Sequence, residues 1–331
     1  MRLIRYLLIA IALVSLFWLV PSEHALSEII EIPRDLEVMP EVNEAFYKSE
    51  THYEDPSLTI DITSGRAYDT DYLILRVKIA NATQLRSYVT KKENYGDVMA
   101  QRVHAVLALT GDDFRDNKSS HTRKYVYRQG KEVFIQNWKD ACYYDILMID
   151  GQGDFHILKQ PTRKEVDEFM EQHDIVNTFC FGPGLWINGE QQEPLTGSRA
   201  NGIGWTKKAQ RLCFCQSGPL EYIVFVTGGP DNPHCKGMTM PEFIEVIKSE
   251  IEPLHVYNLD GGNAAWVVFH GEKINRFNRG ASQGKRKIND IIYFASAWEG
   301  EAPAEEEAGE AETEEAEAGF LSIEHPEESE P

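Results

Sequence analysis

The stretch from Leu254 to Phe269 constrains this chain more than any other. Leu254-His255-Val256 reads as the approach of a short strand, and residues two apart on a strand share a face. Val256, Asn258 and Asp260 therefore point one way, and His255, Tyr257 and Leu259 the other. The strand runs into Asp260-Gly261-Gly262. A carboxylate at a buried strand end needs hydrogen bonds or a cation. The glycines allow positive φ and let a ligand approach bare N–H groups. Trp266-Val267-Val268-Phe269 then restarts a strand, and His270-Gly271 reads as a hairpin turn. Two local readings stand side by side. One is an active-site loop with Asp260 as acid, base or nucleophile. The other is a tight turn whose Asp caps its own backbone.

The pattern around this stretch sets the fold class. Glu221 to Val226 is an apolar run expected as a central strand. Thr239 and Glu242 form a capping box, Met238 can staple onto Phe243, and Phe243, Ile244, Ile247 and Ile251 follow at helical spacing. Thr162 and Glu165 form a second box, opening a helix with Val166, Phe169 and Met170 inward. Hairpins are expected around Gln129-Gly130 and around Asp150 to Gly153. Asp71 to Ile79 alternates as a half-buried strand, Val103, Ala105, Leu107 and Leu109 share one face of a strand expected from Val98, and Asp290 to Phe294 closes the domain. The sum is an α+β fold, one mixed-sheet domain of many strands and few helices over residues 58–298.

The ends differ from this core. Met1-Arg2-Leu3-Ile4-Arg5 precedes an unbroken apolar run from Tyr6 to Val20, so residues 1–25 read as a signal peptide or an N-terminal membrane anchor. The run is shorter than the roughly 20 residues of a comfortable transmembrane helix. Either reading exports the rest of the chain. Residues 26–57 are polar and Pro-punctuated and read as a spacer. The formal charge is −20, but residues 299–331 hold 14 Glu and no Lys, Arg or Asp, which leaves −6 on residues 1–298. No basic footprint for nucleic acid exists, and the acidic tail cannot bury a core and reads as disordered. The five cysteines follow no zinc spacing; a pair such as Cys142 with Cys180 is conceivable, and buried thiols are the default.

Several loops carry chemistry-bearing residues. Thr110-Gly111-Asp112-Asp113 ends an apolar run with two acids that repel each other. Phe181-Gly182-Pro183-Gly184 forces a bend that either shapes a pocket or turns the chain. Ser198 to Trp205 is glycine-rich with Arg199, a combination that can cradle phosphate. His234 and Lys236 follow the Thr227-Gly228-Gly229-Pro230 turn.

Taken together and in order, these blocks resemble the phosphodiester glycosidase family over about residues 100–295. The resemblance rests on Thr110-Gly111-Asp112, Phe181-Gly182-Pro183, Arg199 to Gly204, Lys236 to Glu242, Asn258-Leu259-Asp260-Gly261-Gly262 and Ile288 to Ile292. The chain departs from the family pattern with Thr110 in place of Asn, and with Asn263 and Ala264 where Gly and a hydroxyl residue are usual. The block containing Arg199 is one residue longer than usual.

The resemblance implies hydrolysis of a sugar-1-phosphodiester at the anomeric carbon, on a cell-envelope or extracellular glycoconjugate. Asp260 is expected as nucleophile or base and Asp112 as its acid/base partner or a sugar-hydroxyl binder. Arg199 and the N–H groups of Gly261 and Gly262 are expected to hold phosphate, and Asn258 to orient Asp260. Asp113, Lys236 and His234 complete the expected substrate contacts. No cofactor or metal is demanded, although Asp112, Asp113 and Asp116 have the oxygens for Ca²⁺. The competing reading is an inactive binding module for envelope glycopolymers, tethered by its N-terminus. A third, a structural partner acting through the acidic tail, has only the tail behind it.

Overall fold

A computed structural model describes residues 29–112, 125–230, 232–275 and 286–300. In chain order the strands and helices are β1 (Tyr47–Ser49), β2 (His52–Asp55), β3 (Leu58–Ala67), β4 (Thr70–Ile79), β5 (Leu85–Asn94), α1 (Gly96–Arg102), β6 (Leu107–Thr110), β7 (Tyr125–Arg128), β8 (Lys131–Ile135), β9 (Ile146–Asp150), β10 (Phe155–Leu158), α2 (Arg163–Gln172), β11 (Ile175–Phe179), β12 (Gly184–Ile187), β13 (Glu190–Gln191), α3 (Gly197–Gly202), β14 (Leu212–Gly218), β15 (Glu221–Thr227), α4 (Met240–Glu250), β16 (His255–Asn258), β17 (Val267–Phe269), β18 (Glu272–Lys273) and β19 (Ile288–Phe294).

The fold is α+β, with many strands and few helices. Its strands divide among several sheets, and their pairings are antiparallel. The largest has nine strands in the order β1-β2-β3-β4-β15-β14-β16-β12-β13, and the apolar β15 stands at its centre. A five-stranded sheet, β18-β17-β6-β19-β5, faces it. Alternate residues of the two sheets interdigitate: Phe214, Val224, Val226 and Tyr257 from one meet Leu107, Leu109, Val267 and Phe294 from the other. The outer face of the large sheet is covered by α4, whose Phe243 and Ile247 pack with Cys213, Cys215 and Phe225. Both capping boxes form as their spacing predicts, on Thr162 and Glu165 and on Thr239 and Glu242. Gln129-Gly130, Asn188-Gly189 and His270-Gly271 turn their hairpins with positive φ at both residues. The five cysteines are buried thiols.

Two expectations are corrected. The described part of the expected spacer packs onto the domain: β1 and β2 extend the nine-stranded sheet, and Ile32, Met39, Phe46 and Tyr53 are buried. Its prolines masked the alternation of His52-Tyr53-Glu54-Asp55, in which Tyr53 and Asp55 are the buried pair. The expected strand from Val98 to Leu109 is α1 followed by the shorter β6. Met99, Ala100 and Val103 are the buried set, at the spacing of one helix face. The N-terminal apolar run and the acidic tail beyond residue 300 lie outside the described residues.

One polar cluster ties three sheets together. Arg128, the last residue of β7, is buried and uses every guanidinium donor. Its Nε and Nη2 donate to the Asp290 carboxylate at 3.1 and 2.7 Å, and Nη2 also reaches Asp112 at 3.3 Å. Its Nη1 donates to the carbonyls of Tyr127 and Thr178. The guanidinium lies 4.2 Å from the centre of the Phe179 ring. Asp112 in turn accepts the Cys180 N–H at 2.8 and 3.0 Å, and its own N–H donates to Asp290 at 2.7 Å. A side chain at Gly111 would collide with the Asp290 carboxylate, 2.2 Å from an ideal Cβ. Burial raises the Asp290 pKa, partly offset by Arg128. Burial also opposes the charge of Arg128, but the two carboxylates outweigh it and push its pKa up.

Tyr53→Ala should cost about 3–5 kcal/mol, the usual loss for truncating a buried ring, read as a shift in urea unfolding. Arg128→Met should cost about 3–5 kcal/mol by leaving two buried carboxylates without their cation. The folded state holds the Asp290 proton more tightly than the unfolded chain. Its contribution to stability is therefore complete below the unfolded value, about 3.9, and falls as pH rises through the folded value. The fall should steepen in Arg128→Met, and Arg128→Met/Asp290→Asn should lose this increment in unfolding series across pH.

Candidate active site

Strand β16 carries the chain from the nine-stranded sheet toward the five-stranded one, and residues 259–266 make the crossing. Three anchors fix this loop. The Leu259 N–H donates to the Leu212 carbonyl at 3.0 Å and the Gly262 N–H to the Gln210 carbonyl at 2.9 Å. The Thr110 hydroxyl donates to the Ala264 carbonyl at 2.6 Å and accepts the Trp266 N–H at 2.8 Å. An ideal Cβ on Gly261 would stand 2.3 Å from the Gln210 carbonyl oxygen, and Gly262 has φ of +55°. Both positions therefore require glycine, for close approach and for backbone angle respectively.

Asp260 sits at the head of this loop with its side chain 15% exposed, and Arg286 brings Nη1 to 3.8 Å from its carboxylate. Arg286 is itself positioned by the loop, because its carbonyl accepts the indole N–H of Trp266 at 2.9 Å. The pair is a carboxylate beside a guanidinium that is 35% exposed, an arrangement that offers an anion one cation and a reacting centre one base. Arg286 falls in the polar, basic stretch from Asn275 to Lys287, which carries no local pattern that would mark it.

The other expected residues are placed as follows. Asp112 lies in the Arg128 cluster with its side chain fully enclosed. Asn258 shares its strand with Asp260, but its amide donates to the Gly182 carbonyl at 2.8 Å and so holds the Gly-Pro-Gly bend. The Gly262 N–H is taken by Gln210, as above. Arg199 turns to β9's approach: its Nε donates to the Tyr143 carbonyl at 2.9 Å and its Nη2 lies 3.9 Å from Asp145. Lys236 pairs with Asp69 at 2.8 Å, and the His234 carbonyl accepts from Arg66 at 2.8 Å. Both contacts run to the β3–β4 turn rather than to Asp260. Asp113 and Asp116 lie outside the described residues, and the Asp112 oxygens expected to share Ca²⁺ with them are bonded to Cys180 and Arg128.

Two further residues escaped sequence reasoning. Arg211 is buried and donates to four carbonyls, those of Met238, Ile203, Gly204 and Lys207. Burial lowers its pKa to about 10. It thereby ties the glycine-rich loop to the start of α4. Asp145 opens β9 with its carboxylate against the N–H groups of Gln160 and Gly184, at 3.1 and 3.0 Å, and burial raises its pKa. The Tyr257 hydroxyl donates to the carbonyls of Asp145 and Phe179, which locks this corner to β16. A cavity of about 200 Å³ lies here, walled in part by Pro183 and Gly184. A larger trough of about 450 Å³, lined by Arg76, Lys78, Glu221 and Glu250, takes no residue from the Asp260 loop.

Comparison with known proteins bears on this arrangement. The phosphodiester glycosidase family model matches residues 103–295, which span β6, the glycine-rich loop, the Asp260 loop and β19. No curated protein matches. Among solved structures, the zebrafish N-acetylglucosamine-1-phosphodiester α-N-acetylglucosaminidase catalytic domain, auto-inhibited by its pro-peptide, is similar in fold at 15% identity and a TM-score of 0.53. The match covers 81% of this chain and 98% of that one. A hypothetical protein from Synechocystis matches at 11% identity and a TM-score of 0.47, over 74% of this chain and 64% of its own. With the family model covering most of the domain and the fold in agreement, the chain belongs to the phosphodiester glycosidase family.

Proposed function

We propose that this protein is a hydrolase that cleaves a sugar-1-phosphodiester at the anomeric carbon, with Asp260 as its reactive carboxylate. The observation that carries the proposal is the Asp260–Arg286 pair at the head of the intersheet loop, 3.8 Å apart and partly exposed. The phosphomonoester leaves as a stabilised anion, so the reaction has little need of a general acid. It needs a carboxylate at the developing oxocarbenium ion and a cation for the departing phosphate. Asp260 meets the first need as nucleophile or as base for the attacking water, and Arg286 meets the second. In the overall reaction water supplies the new oxygen at the anomeric carbon, the bond to the phosphate oxygen breaks, and a phosphomonoester departs. In this reading Asp112 is a positioning residue that holds the ends of β6 and β11 beside the loop. Ala264 is buried with its carbonyl on Thr110, so the missing hydroxyl there concerns packing rather than phosphate.

We further propose that the protein is exported, on the strength of Met1-Arg2-Leu3-Ile4-Arg5 and the apolar run to Val20. No helix among the described residues is long and apolar enough to cross a membrane.

Purified protein incubated with a panel of sugar-1-phosphodiesters should release free sugar, with the anomeric outcome visible by NMR. Asp260→Asn should lower kcat by about a hundredfold or more, the scale of a lost catalytic carboxylate. No release by the wild type, with saturable binding of the same compounds, would instead favour a glycopolymer-binding module. Arg286→Gln should weaken turnover of the phosphodiester by about tenfold or more, as expected for a charge-assisted contact, while sparing an aryl glycoside of the same sugar. Asp112→Asn should act differently, lowering the unfolding midpoint while leaving the pH profile of kcat unchanged.

A further inference from the structure

Strands β17 and β19 both run antiparallel to β6, one on each side of it, so both begin where β6 ends. Trp266 comes just before β17, and Arg286 lies two residues before β19. Neighbouring strands stand about 4.8 Å apart, which puts β17 and β19 about 10 Å from each other across β6. That gap is too wide for a main-chain hydrogen bond. The Trp266 side chain crosses it, and its indole N–H donates to the Arg286 carbonyl at 2.9 Å.

The donor is fixed independently of Arg286. The Trp266 N–H donates to the Thr110 hydroxyl at 2.8 Å, and the Trp266 carbonyl accepts the Thr110 N–H at 3.0 Å. The ring is clamped as well. Gly96 opens α1 against it, and an ideal Cβ there would stand 2.8 Å from the indole. The Lys273 ammonium lies 4.2 Å from the ring centre, and Lys273 is buried. A cation–π contact is worth most when it is removed from water in this way. On the far side of the bond, the next backbone pairing after Arg286 begins at Ile288, opposite Asn94. The indole therefore sets where the Arg286 backbone enters β19. With that it sets how near the guanidinium comes to Asp260, which is 3.8 Å away.

We infer that Trp266 is a positioning residue, whose indole N–H registers the Arg286 guanidinium against the Asp260 carboxylate. Both members of the pair then depend on one side chain. Asp260 comes from the loop that Trp266 closes, and Arg286 from the strand entrance that the indole holds. A side chain without the N–H leaves the two on strands that no hydrogen bond joins at this end. The catalytic meaning of the pair rests on the glycosyl phosphodiester reading; the indole's hold on Arg286 does not.

The test is a double-mutant cycle on the full chain, joined to crystal structures. Trp266→Phe keeps an aromatic ring and removes the N–H. It should lower kcat/KM for a sugar-1-phosphodiester about five- to tenfold, the scale of one hydrogen bond, with circular dichroism confirming the fold. In the Arg286→Gln background the same substitution should cost little more, because the group it positions is already gone. Crystal structures of the wild type and of Trp266→Phe should show Arg286 withdrawn in the variant beyond about 4 Å from Asp260, the reach of an ion pair. If Trp266→Phe does not fold, 3-benzothienylalanine at position 266 replaces it, since that side chain keeps the two-ring shape and loses only the N–H. Losses that add in full across the two substitutions, or a variant crystal structure with Arg286 still within that reach, would overturn the role. A wild type that turns over no phosphodiester would overturn the hydrolase reading, and the crystal structures alone would then decide the positioning.

Discussion

Arg128 is the group on which the arrangement of this domain depends. Burying a guanidinium is costly unless its donors and charge are met. Here two carboxylates, two carbonyls and an aromatic face meet it together. Because Asp112 follows β6, Asp290 lies in β19 and Thr178 in β11, satisfying one side chain fixes three sheets at a single corner. The same cluster explains Gly111, the one residue small enough to pass the Asp290 carboxylate. Polar networks of this kind are unforgiving, since a partly satisfied one is worse than an apolar core.

That corner sets the stage for the loop at residues 259–266. Thr110, two residues before Asp112, bonds to the loop at both Ala264 and Trp266. Gln210 holds the other end. Two carboxylates close in the fold's logic thus receive different environments. Asp112 is enclosed by N–H groups and a guanidinium, whereas Asp260 keeps some exposure and a cation at one side. Of the two, only Asp260 has a side chain within reach of solvent. The departures from the family pattern also acquire a physical meaning. Thr110 supplies a hydroxyl that donates and accepts at once, and Ala264 presents its carbonyl to that hydroxyl.

Much of this was legible in the residues. Capping boxes announced α2 and α4, paired positive-φ turns announced the hairpins, and the apolar run from Glu221 announced the central strand. Asp260 was singled out as a candidate because a strand, a capped helix and Asn-Leu-Asp-Gly-Gly occur in order. Arg286, Asp145 and Arg211 were not, since each sits in a stretch with no local pattern and takes part of its meaning from a distant partner: Asp260, Arg199 and Met238 respectively. Arg199 was expected to hold phosphate, but nothing local says that it will face Tyr143 and Asp145. The β1–β2 segment was missed because its prolines and charges outweighed four residues of alternation.

Periodicity, capping and turn chemistry are local properties, so outside α1 and the β1–β2 segment the sequence alone determined the main element types, the α+β class and the family to which its motifs point. Which charged groups meet is a long-range property. It depends on how two sheets stack and on where buried charge can be balanced, and burial changes the energy of an ionic contact far more than any change of residue type along the chain. Only the tertiary structure could decide that Arg128 would enclose Asp112, that Arg286 would stand over Asp260, and that Arg199 would face Asp145 across a small cavity.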